Sequence, residues 1–249
     1  MNKYGKNFEI YYYDVDKFNR ITPLSILNYL EETAISHSWS VGLGCEELYE
    51  KGYAWVLSKW HVEIKRYPSF KDKIYVETWA SSFDRYFANR WFTIKDEKGS
   101  KIISAASQWI LIDIDKRRAV KIPKEISDCY GVVDEIATDE SFRNFEKIEI
   151  DENKRKYEIR RSDIDTNGHV NNKKYIEWII ETIPDEIYEN YYLSSFDVLY
   201  KKETSYGHSI YASYIEVKKD ENSVQYHHVI RLDDDTELAR IYTKWIKRA

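Results

Sequence analysis

The sequence predicts an α+β fold built as two tandem copies of one unit, each a long helix wrapped by an antiparallel β-sheet. Three observations predict it: an internal echo at constant spacing, a helix-start signal early in each copy, and several alternating strand patterns after each helix. Asp14-Val15-Asp16-Lys17-Phe18-Asn19-Arg20-Ile21 returns 149 positions later as Asp163-Ile164-Asp165-Thr166-Asn167-Gly168-His169-Val170. At that spacing Glu32 and Thr33 fall on Glu181 and Thr182, with no gap. A second block aligns at a spacing of 136, with Val62–Tyr67 over Val198–Glu203, Ile74-Tyr75 over Ile210-Tyr211 and Trp109-Ile110 over Trp245-Ile246. The spacing falls from 149 to 136, so the first copy carries 13 extra residues between its helix and its next strand. Two blocks in the same order make duplication the better reading. The copies are expected at 1–127 and 154–249, with a connector at 128–153.

The elements follow in order. In the first copy Thr22-Pro23 is a cap followed by proline at the first helical position. Leu24, Leu27, Leu30 and Ala34 then recur at helical spacing. Strands are expected over Tyr53–Lys65, Lys73–Ala80, Arg85–Asp96 and Lys101–Asp113, with Glu97-Lys98-Gly99-Ser100 as a hairpin turn. From Lys116 to Asn153 the chain is polar and weakly patterned, with a helix expected at Lys124–Tyr130. In the second copy Asn171 or Asn172 caps a helix that Pro184 stops. Its apolar face (Tyr175, Ile176, Trp178, Ile179, Ile180, Ile183) is too wide for a surface helix and predicts enclosure. Strands follow at Ser195–Glu203, Ser209–Lys218, Ser223–Leu232 and Glu237–Lys247, with turns at Asp220-Glu221-Asn222 and Asp233-Asp234-Asp235.

Composition narrows the function. A net charge of −5, from 38 basic and 43 acidic residues intermixed, argues against a general nucleic-acid binder. No apolar run approaches the ~20 residues that span a bilayer. The N-terminus shows neither an apolar signal core nor an Arg/Ser-rich transit peptide, which predicts a cytoplasmic protein. Cys45 and Cys129 make neither a disulfide framework nor a zinc spacing, and small buried or half-buried thiols are expected. His227 and His228 are adjacent on a strand and point to opposite faces, so they cannot chelate one metal. Asp233-Asp234-Asp235 lacks calcium-loop spacing, and Gly42-x-Gly44 lacks a preceding strand and a third glycine.

The densest chemistry lies at the entrance of the second helix. Asp163-Ile164-Asp165-x-Asn167-x-His169-Val170-Asn171-Asn172-x-x-Tyr175-x-x-Trp178-x-x-Glu181 resembles the signature of the acyl-acyl carrier protein (acyl-ACP) thioesterases, a double-hotdog family of plants and bacteria. Tyr200-Lys201-Lys202-Glu203-Thr204 is similar to the family's Tyr-basic-basic-Glu-Cys run, with threonine in place of cysteine. The resemblance implies a tandem hotdog fold, hydrolysis of fatty acyl-ACP to free fatty acid and carrier protein, and an acyl tunnel largely within the first copy. It fits a bacterial member, and a homodimer is among the expected states.

Thioester hydrolysis needs an activated water, an electrophilic carbonyl and stabilisation of an oxyanion, and no metal or organic cofactor is expected. His169 and a strand-borne Glu203 are the two side chains that can move protons once placed together. Asn167 can donate its amide to the thioester oxygen or hold the water, and backbone N–H groups near Val170–Asn172 would add donors. Asp165 would orient His169 or Asn167 and fix the histidine tautomer. Thr204 is a far poorer nucleophile than a thiolate, which favours attack by water without an acyl-enzyme. The first copy holds Phe18, Arg20 and Tyr67 where the second holds Asn167, His169 and Glu203, so one site per chain is expected. Leu27, Leu30, Trp55, Leu57 and Trp60 are candidate tunnel-lining residues. An acidic carrier calls for a basic patch, with candidates Lys173, Lys174, Arg160, Arg161, Lys116, Arg117, Arg118 and Lys121. Acyl-CoA as substrate, a silent acyl-binding protein and dehydratase chemistry stay open as alternatives.

Overall fold

A computed structural model describes residues 3–138, 142–147, 149–150 and 152–248. The chain divides into two compact units, residues 1–141 and 142–249.

In the first unit, β1 (Lys3–Glu9) leads to α1 (Pro23–Ser40) and α2 (Cys45–Glu50). There follow β2 (Tyr53–Ile64), β3 (Lys73–Phe83), β4 (Phe87–Asp96), β5 (Lys101–Asp113), β6 (Arg118–Ala119) and α3 (Lys124–Tyr130). The Thr22 hydroxyl accepts the Ser25 N–H at 3.1 Å and Pro23 takes the first helical position, so α1 begins where the cap signal put it. Its buried stripe of Ile26, Leu27, Leu30, Thr33, Ala34 and His37 keeps a spacing of three to four residues. The antiparallel strands run in the order β1-β3-β4-β5-β2, with β6 on β5, and α1 packs against β1 and β3. Trp60, Val62, Ile74, Val76, Phe92 and Ile94 are buried in the core of this unit. Gly99, at φ 78°, closes the β4–β5 hairpin in a conformation a β-branched residue resists.

The extra residues of the first copy are now visible. Its helix has 18 residues against 8 in the second, and α2 follows before the strands. Leu48 of α2 and Ile126 and Tyr130 of α3 join a cluster with Leu43, Ala80, Ala88, Leu111 and Ile122. These short helices turn the cysteines outward. Cys45 and Cys129 are exposed, contrary to the buried or half-buried thiols expected, because one-sided helices of six and seven residues give their inner positions to larger side chains.

In the second unit, β7 (Arg155–Glu158), α4 (Lys173–Ile180) and α5 (Asp185–Asn190) precede β8 (Tyr191–Tyr200), β9 (Ser209–Lys219), β10 (Ser223–Leu232) and β11 (Glu237–Lys247). The strand order is β8-β11-β10-β9-β7, again antiparallel. Tyr175, Ile176, Trp178 and Ile179 of α4 are buried. The helix ends earlier than Pro184 suggests. The Thr182 and Ile183 N–H groups bond to Ile179 and Ile180, three residues back, and this tightened turn closes α4 at Ile180. Pro184 instead opens α5, a short helix that periodicity did not reveal.

Strand β8 also stops short, at Tyr200, so Glu203 is not strand-borne. The Lys201 and Lys202 N–H groups converge on the single Leu238 carbonyl, at 2.8 and 3.3 Å, and the chain peels away from the ladder there. Asp233-Asp234-Asp235 forms the β10–β11 turn, with the Asp234 carboxylate accepting the Thr236 N–H at 2.9 Å and Asp235 at φ 62°.

Much of the expected connector is pinned to one unit or the other, although residues 139–141, 148 and 151 lie outside the described residues. On the first unit, the Trp79 indole donates to the Glu135 carbonyl at 2.9 Å and Lys101 to that of Ala137 at 2.6 Å. On the second, Arg240 donates to the Glu146 carbonyl, Arg231 to that of Ile150 at 2.9 Å, and Arg143 lies 3.5 Å over the Tyr242 ring.

Candidate active site

The loop that opens α4 is a closed hydrogen-bonded turn. Asp165 N–H donates to the His169 carbonyl at 2.8 Å, and the Asp165 carboxylate accepts the Asn167 and His169 N–H groups at 2.8 and 3.3 Å. Ile164 and Val170 pair as an isolated bridge, and Gly168 takes φ 80°. The first unit repeats this bond for bond. Asp16 N–H reaches the Arg20 carbonyl at 2.8 Å, and its carboxylate accepts the Phe18 and Arg20 N–H groups at 2.9 and 3.0 Å. Val15 pairs with Ile21, and Asn19 sits at φ 57° where the second copy has glycine.

Each turn is tethered to the segment after a strand. Val170 N–H donates to the Thr204 carbonyl at 2.8 Å; its counterpart Ile21 donates to Pro68 at 2.9 Å. That tether sets residue 169 beside residue 203. His169 Nδ1 lies 3.2 Å from Glu203 Oε2, with side chains 32 and 52 % exposed. In the first unit the same positions hold Arg20 and Tyr67, the guanidinium 5.5 Å from the Tyr67 ring and 4.5 Å from the Phe18 ring. Asp16 binds that guanidinium at 2.9 Å. A stacked cation thus fills the first unit's site, while the second presents an acid–base pair.

Three expectations need correction. Asp165 does not set the imidazole: its carboxylate organises backbone, as Asp16 does in the first unit, and Glu203 faces Nδ1 instead. The N–H groups of Val170 and Asn171 are not free donors, because closing the turn commits them to the Thr204 and Asp163 carbonyls, both at 2.8 Å. Glu203 reaches the site from a loop. Asn167 is exposed at the tip of the turn, beside His169 in sequence. Asn172 holds the N-cap position of α4 without a side-chain bond, and the Asn171 side chain before it accepts the Lys173 N–H at 3.2 Å.

Beneath the pair, buried Tyr175 meets Tyr200 edge-on at 5.5 Å, and the Tyr200 hydroxyl donates to the Asn172 carbonyl at 3.0 Å. Burial, and then the Glu203 carboxylate, push the Tyr175 phenol well above its ordinary range. Tyr175 was read only as apolar face; its place in the motif was the available signal. Buried Asp163 is a support. Burial pulls its carboxyl up, but hydrogen bonds from Arg160 outweigh that and hold it below the usual range.

The remaining candidates divide between the two units. Lys174 is bound to Glu177 at 2.6 Å and Asp163 at 3.4 Å, and Arg160 to Asp163 and Glu177, so both serve the loop rather than a partner. Lys173 is half-buried, and exposed Arg161 lies 4.6 Å over the Tyr206 ring. Lys116, Arg117 and Arg118 belong to the β5–β6 turn and β6, with Lys121 exposed just after, all in the first unit. Leu27, Leu30, Leu57 and Trp60 are at most 3 % exposed in the interior of the first unit; Trp55 is half-buried beside the α2–α3 cluster.

Two helix-in-sheet units with a His–Glu pair kept at one of two twin turns define a tandem hotdog protein with one candidate hydrolytic site. The acyl-ACP thioesterase N-terminal domain pattern matches residues 1–130 and the C-terminal domain pattern residues 146–247, and the chain belongs to that family. A dodecanoyl-[acyl-carrier-protein] hydrolase of Cinnamomum camphora is 29 % identical over 97 % of this chain and 67 % of its own length. A palmitoyl-acyl carrier protein thioesterase of Gossypium hirsutum is 31 % identical over 97 % of this chain; this chain spans 63 % of its length. A putative oleoyl thioesterase structure from Lactobacillus plantarum superposes with a TM-score of 0.89 at 27 % identity, covering 99 % of this chain and 97 % of that one. An acyl-ACP thioesterase structure from Bacteroides thetaiotaomicron gives 0.83 at 28 %, covering 98 and 97 %.

Proposed function

We propose that this chain hydrolyses fatty acyl-ACP thioesters by water attack at the His169–Glu203 pair. The observation that carries the reading is the 3.2 Å approach of Nδ1 to the carboxylate, in the copy whose twin has replaced both groups. With Glu203 accepting a hydrogen bond from Nδ1–H, Nε2 takes a proton from water as its oxygen attacks the carbonyl carbon. The Asn167 amide donates to the developing oxyanion. The C–S bond then breaks, and the imidazolium returns its proton to the departing thiolate of the carrier. Thr204 is 6 % exposed, and its hydroxyl has no hydrogen-bond partner among the described residues, so no base activates it as a nucleophile.

The substrate class follows the related hydrolases, and exposed Arg161 at the loop supplies positive charge for an acidic carrier. We place the protein in a bacterial cytoplasm. Two similar solved structures come from bacteria and a third from the plant Umbellularia californica, the Cinnamomum and Gossypium relatives are chloroplastic, and the placement rests on the N-terminus, which shows no transit-peptide pattern. No helix among the described residues is long and apolar enough to cross a membrane.

Free-thiol release from acyl-ACP thioesters, short to long chain, tests the reading, with the matching acyl-CoA series run in parallel. His169→Ala and Glu203→Gln are each expected to lower kcat about 10²- to 10⁴-fold. Wild-type turnover in His169→Ala would overturn it, and faster release from CoA than from ACP would reassign the carrier.

A further inference from the structure

The interior of the first unit holds a cation that the hydrolytic site does not use. Arg90 of β4 is 8 % exposed, and no carboxylate among the described residues contacts it. Its Nη1 donates to His37 Nδ1 at 2.9 Å and to the Thr78 hydroxyl at 3.2 Å, and its guanidinium lies 5.4 Å over the Tyr130 ring. Because an arginine only donates, His37 Nδ1 accepts and Nε2 carries the imidazole proton. That Nε2–H is buried and has no partner among the described residues, and neither has the Trp60 indole N–H. In the sheet register Ser107 of β5 joins Trp60 to Arg90, paired with Trp60 on β2 and Arg90 on β4. The Ser107 hydroxyl itself receives the Trp109 indole N–H at 2.7 Å. Two buried N–H donors of this layer, on His37 and Trp60, have no acceptor among the described residues and lie in one layer with a buried cation that has no carboxylate beside it there, which native interiors rarely leave uncompensated.

The scaffold does not require it. At the 136-residue spacing the second unit has Phe196, Tyr214 and Tyr226 in place of Trp60, Thr78 and Arg90, and there Tyr214 and Tyr226 simply pack edge-on at 5.3 Å. Burial, with help from Arg90, lowers His37 to about 4 and keeps it neutral, while burial lowers Arg90 only to about 10, so it stays charged.

We propose that this donor layer binds an oxygen acceptor carried by the acyl chain, so that the substrates of this chain include oxygenated fatty acyl groups, with a hydroxyl, an oxo group or a terminal carboxylate. The inference rests on the hydrolase reading and on the acyl chain entering the first unit.

Thiol release is measured for acyl-ACP thioesters of one length: plain, hydroxylated, oxo-substituted and carboxy-terminated. In wild type at least one oxygenated chain is expected to exceed the plain chain about tenfold in kcat/KM. Arg90→Met, and separately Trp60→Phe, which keeps the ring stacking, should bring that ratio toward one; a ratio within one variant cancels any common loss of stability. A plain chain preferred over every oxygenated one, or a ratio unchanged in both variants, overturns the inference. If no thioester is hydrolysed, the hydrolase reading fails, and melting temperatures with the free acids decide the donor layer alone. A larger rise with an oxygenated acid than with the plain acid supports it, and an equal or smaller rise overturns it.

Discussion

His37 and His228 are imidazoles that the folded chain keeps neutral. Burial pushes His228 down to about 3, with His227 adding to it, and lowers His37 to about 4. The His228 ring is held by the Thr243 hydroxyl at 2.9 Å, itself bound by the Trp245 indole at 3.0 Å. An unfolded histidine titrates near 6.5, so below that pH the unfolded chain takes up protons that the folded chain refuses. Stability is therefore whole above pH 6.5 and declines as pH falls toward 4, by on the order of 3 kcal/mol per imidazole. Position 228 corresponds to Phe92 of the first unit, so His228→Phe is expected to fold and to flatten that decline. Urea midpoints of variant and wild type between pH 7 and 4 read the difference; parallel slopes would refute it.

At the level of the element, the α4 entrance turn rests on one left-handed position. Gly168 sits at φ 80°, with open space where a Cβ would stand, so a substitution is opposed by backbone conformation and not by a clash. The twin turn solves the same problem with Asn19 at φ 57°. Gly168→Asn is therefore expected to stay within about 1 kcal/mol of wild type and to keep turnover, since asparagine tolerates this region. Gly168→Val is expected to lose about 2 kcal/mol, and at least tenfold in kcat as His169 shifts from Glu203. Melting curves with thiol-release rates separate the two, and equal behaviour of both variants would count against the turn as the organiser of the site.

For the whole molecule, duplication followed by divergence leaves a His–Glu pair at one turn of two. The first unit retains its turn, tether and helix, yet Arg20 is spent on Asp16, Phe18 and Tyr67. Arg20→Ala should cost stability through the lost Asp16 contact but leave fatty-acid release intact, whereas His169→Ala should lower it about 10²- to 10⁴-fold. Assaying both on the same acyl-ACP tests single-site stoichiometry, and comparable losses in the two variants would mean that the first unit takes part in the chemistry.

The duplication, the start of α1 at Thr22-Pro23, and β5, β10, β11 and α3 to the residue were legible in the chain, because caps, alternation and turn residues act over a few positions. So was the meeting of His169 with Glu203, through the resemblance of two motifs to one family rather than through any local rule. The extents of α4 and β8 were not legible. A tightened turn ended one, and two N–H groups sharing the Leu238 carbonyl ended the other. The roles around the imidazole were not legible either, since Asp165 and Glu203 are both carboxylates in the right motif and only the closing of the turn commits one to backbone and leaves the other facing the ring. Arg90 gave a faint signal, a charge amid the alternating Ala88, Phe92 and Ile94, but its lack of an acid partner depends on what β3, β5 and α1 bring to it. Sequence determines what a few neighbouring residues prefer; which hydrogen-bonding groups remain unspent is decided only when distant segments compete for them.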